Sequence, residues 1–206
     1  MDWSRSLPWE FQRRGIPFWA LHGNDGNYWN RKSAFTKMGM MAFLDRDRIL
    51  VPKDTRWGVS DAVTFRKTVE TARNHPGPMA LFVITLTSHT PFDYAPAGSF
   101  PGTAPMERYF NSIAYLDRCL ASLFRDLPMD SPWTVIMYGD HPSHMEGMGY
   151  QSLVDGKKRV PCWIFEWTSE GPKPMAFPKL TEKQRRDGSL EIVSLHSLLV
   201  QNLPKP

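Results

Sequence analysis

The side chains able to do chemistry sit directly after apolar runs. Trp133-Thr134-Val135-Ile136-Met137-Tyr138 stops at Gly139 and delivers Asp140 and His141 side by side. An oxygen donor beside an imidazole suits zinc or manganese. For this pair taken alone, the plain alternative is that Asp140 caps a turn and His141 is an ordinary surface residue. Two further histidines follow apolar runs in the same way: His22 after Ile16 to Leu21, and His89 after Ala80 to Thr87. Around His22 the segment HGNDGNYWNR adds Asn24, Asn27, Trp29 and Arg31. The Arg31 guanidinium is shaped to hold phosphate or sulfate through two parallel hydrogen bonds, which a lysine cannot reproduce. Without such a ligand, Trp29 reads as a core anchor and Arg31 as a surface charge at a helix start.

The elements that must position these groups alternate between helix and strand. A helix over 9–14 stops at Gly15 and is followed by a strand running into His22-Gly23. The polar loop to Asn30 leads to a short helix over 31–38 and a brief strand over 40–44. Ser60 or Asp61 caps a helix with Val63, Phe65, Val69 and Ala72 on its apolar face, ended by Asn74-His75-Pro76-Gly77-Pro78. Ala80 to Thr87 is continuously apolar, as strands covered on both faces are. The Pro- and Gly-rich loop over 90–105 is long enough to wall a site. Tyr109, Ile113, Leu116, Leu120, Leu123 and Leu127 recur at helical spacing and predict a long amphipathic helix closed by Pro128. Then come the strand over 133–138, a loop with Pro142, Gly147 and Gly149, a strand over 160–167 and a last helix over 189–203. Such alternation implies a three-layer α/β/α fold whose largely parallel sheet brings His22, His89 and Asp140-His141 to one edge.

Composition excludes several classes. The 206 residues, 41% of them hydrophobic, suffice for one domain with a sizeable core. No apolar run reaches the roughly 20 residues of a membrane span, and the first residues lack the apolar segment of a signal peptide. The net charge of +4 is scattered apart from Lys157-Lys158-Arg159 and Arg185-Arg186. That pattern suits an anionic substrate, an anionic lipid surface or a solvated face, and not nucleic acid. Cys119 and Cys162 have neither metal-motif spacing nor disulfide density and read as small core residues.

The order HGNDGNYWNR, Trp57-Gly58-Val59-Ser60-Asp61, TLTSHTPF, Tyr115-Leu116-Asp117 and YGDH resembles the catalytic domain of lipoteichoic acid synthases. These belong, with periplasmic phosphoglycerol transferases, to the sulfatase-like branch of the alkaline phosphatase superfamily. The resemblance is strongest over 9–167, with 168–206 matching loosely, and it treats 1–206 as a single partial domain of alkaline-phosphatase-like fold without its amino-terminal part.

That resemblance implies a metal-dependent phosphoglycerol transferase acting on a phospholipid head group such as phosphatidylglycerol. Asp140 and His141 would bind one divalent ion, Mn²⁺ or Mg²⁺. His89 would be catalytic, contacting the phosphate or the leaving oxygen, while His22, Trp29 and Arg31 would bind the glycerophosphate head group. The acceptor would be a hydroxyl of a glycan or a glycerophosphate chain. The family's threonine nucleophile and an acidic metal ligand would lie upstream of residue 1, so the missing amino-terminal half is an expected partner. Alternatives are a sulfatase or phosphoethanolamine transferase relative, and a non-catalytic fragment that binds glycerophosphate or another anion. The implied location is the extracytoplasmic face of a bacterial membrane.

Overall fold

A computed structural model describes residues 3–93, 102, 104–130, 132–141 and 160–175. Helix α1 (Leu7–Arg13) leads into strand β1 (Phe18–His22), followed by a 3-10 turn (Tyr28–Asn30) and α2 (Arg31–Lys37). Next come β2 (Ala42–Leu44), the short α3 (Arg46–Ile49), α4 (Asp61–Arg73), β3 (Ala80–Ile84) and α5 (Pro105–Asp126). The described part ends with β4 (Trp133–Tyr138), β5 (Cys162–Thr168) and β6 (Gly171–Pro174).

Strands β2, β1 and β3 form a parallel sheet in that order, with Ala20 opposite both Phe43 and Phe82. Because side chains alternate across a strand, this register separates two faces. On one face Phe35 of α2 meets Phe43 and Phe82 at ring separations of 5.0 and 6.1 Å, and Phe11 of α1 meets Phe18 at 5.3 Å. On the other face Leu81 packs with Val69 and Ala72 of α4 and Leu127 after α5. The sheet is therefore covered by helices on both sides, which gives the expected three-layer α/β architecture. The apolar face expected of α4 is buried throughout at Val63, Phe65, Val69 and Ala72.

Three differences from the sequence reading have physical causes. Strand β3 stops at Ile84, short of the expected Thr87. The N–H groups of Leu86 and Thr87 turn instead to the buried Asp61 carboxylate, at 2.7 and 3.1 Å. Strand β4 does not join the parallel sheet among the described residues; it pairs antiparallel with β5, Trp133 opposite Trp167, and β5 pairs with β6. A continuously apolar run shows that a strand is covered, but not which neighbour it pairs with. This second sheet still rests on the α4–α5 layer, since Trp167 Nε1 donates to the Phe124 carbonyl at 2.9 Å and Trp133 packs with Leu127.

The stripe of α5 is also rotated. Ser112 and Cys119 are buried while Ile113 is 40% exposed. The Tyr115 hydroxyl on the same face bonds with Ser60 and Cys119, so polar contacts to α4 set the helix rotation that apolar spacing alone misjudged. Cys119 is a core residue as expected, whereas Cys162 is exposed on β5. Most of the loop over 90–105, Pro142, Gly147 and Gly149, the last helix over 189–203 and both basic clusters lie outside the described residues.

Candidate phosphate-binding site

Parallel pairing of β1 with β2 and β3 sends the segments after His22, Leu44 and Ile84 off the same edge. These segments are cross-tied. The Gly26 N–H donates to Asp45 at 3.2 Å, the Arg46 N–H to the Asn24 carbonyl at 3.1 Å, and the Arg46 guanidinium reaches Asp25 at 3.2 Å and the Trp57 carbonyl at 3.4 Å. Asp45 is fully buried and also pairs with Lys32 at 2.8 Å. The tightest seam is between Gly23 and Gly58, where the Val59 N–H donates to the Gly23 carbonyl at 2.9 Å. A Cβ on Gly58 would collide with that carbonyl oxygen, and one on Gly23 with the Val59 carbonyl, so both positions require glycine for close approach.

His22 lies at the floor, 3% exposed. Its Nδ1 is 3.0 Å from the Ile84 carbonyl, which fixes the proton on Nδ1 and leaves Nε2 as an acceptor. Burial is the main cause that lowers its pKa from 6.5 to about 4, and the nearby Arg31 charge lowers it further. The ring is therefore neutral at neutral pH.

Arg31 opens α2 directly after two non-glycine residues in left-handed backbone, Trp29 at φ 57° and Asn30 at φ 55°. Such conformations are costly away from glycine and concentrate at ligand sites. They carry the Trp29 indole outward, 78% exposed, so it is not the core anchor that its residue type suggests. The Arg31 Nη1 is buried with no hydrogen-bond partner among the described residues. Burial draws the guanidinium below its ordinary pKa, and the Asp140 charge opposes that shift. An unpartnered buried donor costs roughly 1–3 kcal/mol, which an anionic oxygen would recover.

His89 is held by two groups. Its Nδ1 lies 2.7 Å from the Thr90 carbonyl, again leaving Nε2 as the acceptor, and its ring rests 4.7 Å from Trp57. The turn that carries it is fastened by Asp61, which accepts from Leu86 N–H, Thr87 N–H and the Thr87 hydroxyl. Burial pushes the Asp61 carboxyl up, and these three hydrogen bonds oppose that. The Asp61 partnership spans 25 residues and left no trace in the sequence pattern. Trp57 and Tyr28 were likewise missed as site neighbours, although Trp57 stands in the WGVSD motif.

Asp140 and His141 follow β4, with side chains 82% and 51% exposed. His141 Nε2 lies 3.7 Å from Asp140 Oδ1, a gap that one ion can span with bonds of about 2.1 Å. The donors fit two positions of a divalent ion's shell, and no group of three potential ligands occurs among the described residues. Although β4 belongs to the second sheet, the Asp140 charge at its end favours the charged form of Arg31, and Arg31 and His89 both disfavour the charged form of His22. A separate cavity of about 290 Å³ lies between α2 and β2, lined by Lys32, Phe35, Met41, Phe43 and Arg48. None of the expected site residues lines it.

Comparison with known proteins bears on the family and the fold. A family model described as Sulfatase matches residues 1–192. Lipoteichoic acid synthase 2 of Bacillus subtilis (strain 168) is 29% identical over 193 residues, covering 82% of this chain and 29% of that protein. The chain thus spans under a third of the length of this relative. Among solved structures, an alkaline phosphatase superfamily protein from Vibrio parahaemolyticus matches 80% of this chain and 42% of its own, with TM-score 0.63 and 20% identity. The Streptococcus pyogenes phosphoglycerol transferase in complex with sn-glycerol-1-phosphate matches 80% of this chain and 46% of its own, with TM-score 0.57 and 19% identity. At these identities the structures speak for the shared α/β fold.

Proposed function

The chain belongs to the sulfatase family, and on that footing we propose that it supplies the phosphoglycerol-binding part of a phosphoryl-transfer domain. The observation that carries this reading is the buried Nη1 of Arg31, unpartnered among the described residues, whose charge interacts with those of His22 and Asp140. A partly desolvated guanidinium with an open donor binds a phosphate oxygen better than it binds water.

The roles follow from protonation and placement. Arg31 holds non-bridging phosphate oxygens. Neutral His22 accepts a hydrogen bond from a glycerol hydroxyl through Nε2, a role that an imidazolium could not fill. The exposed Trp29 indole lies against the glycerol carbons. His89, steered by Trp57 and the Asp61-anchored turn, directs Nε2 at the oxygen that leaves or enters phosphorus and exchanges a proton with it. Asp140 and His141 hold one divalent ion, Mn²⁺ or Mg²⁺, which supplies charge neutralisation and lowers the pKa of an attacking hydroxyl. The donor is a phospholipid such as phosphatidylglycerol and the acceptor a hydroxyl of a glycan or glycerophosphate chain. No residue of this chain is assigned the nucleophilic role. On this reading the domain works at the extracytoplasmic face of a bacterial membrane; among the described residues no helix is long and apolar enough to cross one.

Binding tests this directly. At a concentration one hundred times its Kd, sn-glycerol-1-phosphate stabilises the chain by about 2.7 kcal/mol, and Arg31→Ala abolishes the shift. An unchanged melting curve at millimolar ligand, or an equal shift in Arg31→Ala, refutes the site. Calorimetry with Mn²⁺ should give heats that vanish in Asp140→Ala and His141→Ala.

A further inference from the structure

The rim of the site carries a surface that the chemistry above does not use. Strand β2 ends at Leu44, and α3 then lifts the chain to Leu50, which adopts left-handed backbone at φ 59° and stands 83% exposed. Val51 beside it is 42% exposed. An aliphatic pair held outward gains nothing from burial within the described residues. Arg48 and Lys53, both exposed, flank it; of the exposed acids beside them, Asp47 pairs with Arg46 and Asp54 accepts hydrogen bonds from Ser60. The same edge holds the outward Trp29, and the loops that carry Trp29 and Leu50 are fastened together by Asp45 and Arg46. Charge concentrates here as well. Residues 22–60 hold seven basic against four acidic side chains, so this segment contributes three of the chain's four net positive charges.

We propose that Leu50 and Val51, flanked by Arg48 and Lys53, form a shallow membrane-contact tip that seats the mouth of the site on an anionic phospholipid bilayer. The proposal rests on the reading of the site as one for a lipid head group, and it names the surface that brings the site to that head group. Protruding aliphatic side chains enter the acyl boundary while neighbouring cations meet lipid phosphates, a combination that favours an anionic interface over a neutral one. A protein groove would take up the aliphatic pair equally well, but with Asp47 held by Arg46 and Asp54 by Ser60, the net positive surround selects an acidic surface. Because α3 and the 23–30 loop are joined, insertion of Leu50 fixes the height of Trp29 and Arg31 above the membrane.

The test is flotation of the full 206-residue chain with vesicles of equal parts phosphatidylglycerol and phosphatidylcholine. The chain should partition onto these vesicles and not onto pure phosphatidylcholine. Leu50→Asp should lower the partition coefficient about tenfold, consistent with withdrawing one aliphatic side chain from the interface. Arg48→Glu with Lys53→Glu should weaken partition and flatten its salt dependence. Binding of soluble sn-glycerol-1-phosphate should be unchanged in Leu50→Asp, and Arg31→Ala, which loses that binding, should still partition. Equal partition onto neutral vesicles, indifference to Leu50→Asp, or self-association through this patch in sedimentation each overturns the proposal. Vesicle binding without glycerophosphate binding would instead overturn the proposed function and leave the membrane tip standing.

Discussion

His22 makes stability depend on pH in a way that can be calculated. Burial holds its folded-state pKa at about 4, against 6.5 in an unfolded chain. Between those values the unfolded chain takes a proton that the folded chain refuses, so stability rises with pH across that window. The contribution is complete above 6.5 and is lost as pH falls through that value towards 4. At about 1.4 kcal/mol per unit, the gap corresponds to about 3 kcal/mol. The matching variant is His22→Gln, which stays neutral and retains a side-chain donor for the Ile84 carbonyl. Urea unfolding followed by tryptophan fluorescence, repeated from neutral pH down to pH 4, gives the difference between the two proteins. Other carboxylates titrate in both and cancel. Wild type should be the more stable at neutral pH and lose about 3 kcal/mol of that advantage by pH 4, where acid favours the variant. If the two pH profiles run parallel, His22 titrates near its ordinary value, and the assignment of Nε2 as a hydroxyl acceptor falls with it.

Asp61→Ala strands two backbone N–H groups and one hydroxyl in the interior, a loss of about 4 kcal/mol in denaturant unfolding; a change below about 1 kcal/mol would mean that the turn before His89 does not depend on that carboxylate. Gly58→Ala drives a methyl into the Gly23 carbonyl and should cost about 1–3 kcal/mol while shifting the amide resonances of residues 22–30, whereas an unaltered spectrum would show that the seam is loose. Trp57→Ala removes the ring against His89, so the His89 ring protons should lose their ring-current shift and glycerophosphate affinity should fall about fivefold, the equivalent of about 1 kcal/mol. Unmoved His89 resonances would refute that contact.

Helix and strand positions were largely legible because burial imposes a period on the residues themselves. The α4 face, β1 and α2 could be read from spacing and punctuation, within a few residues at each end. The short α3 and β6 were missed, since four-residue elements carry little more than one helical turn or two strand periods of pattern. At the site, the run from His22 to Arg31 and the Asp140-His141 pair stood out as residue types. The sequence could not reveal that Trp29 turns outward, since its direction depends on two successive left-handed residues. Nor could it reveal that Ile113 is open while Ser112 is buried, since polar contacts between α4 and α5 decide the rotation.

By itself, then, the sequence determined the alternation of elements, the absence of a membrane-length apolar run and the identity of the polar groups at strand ends. Each depends on local composition and short-range periodicity. Only tertiary structure decided that, among the described residues, β4 pairs antiparallel with β5 and not with the parallel sheet, while the Asp140 charge after it still acts on Arg31. It also decided that Asp61 secures the His89 turn and that His22 is neutral. Strand partners, desolvation and long-range hydrogen bonds belong to residues distant along the chain, and they acquire their energies only when folding removes water from between them.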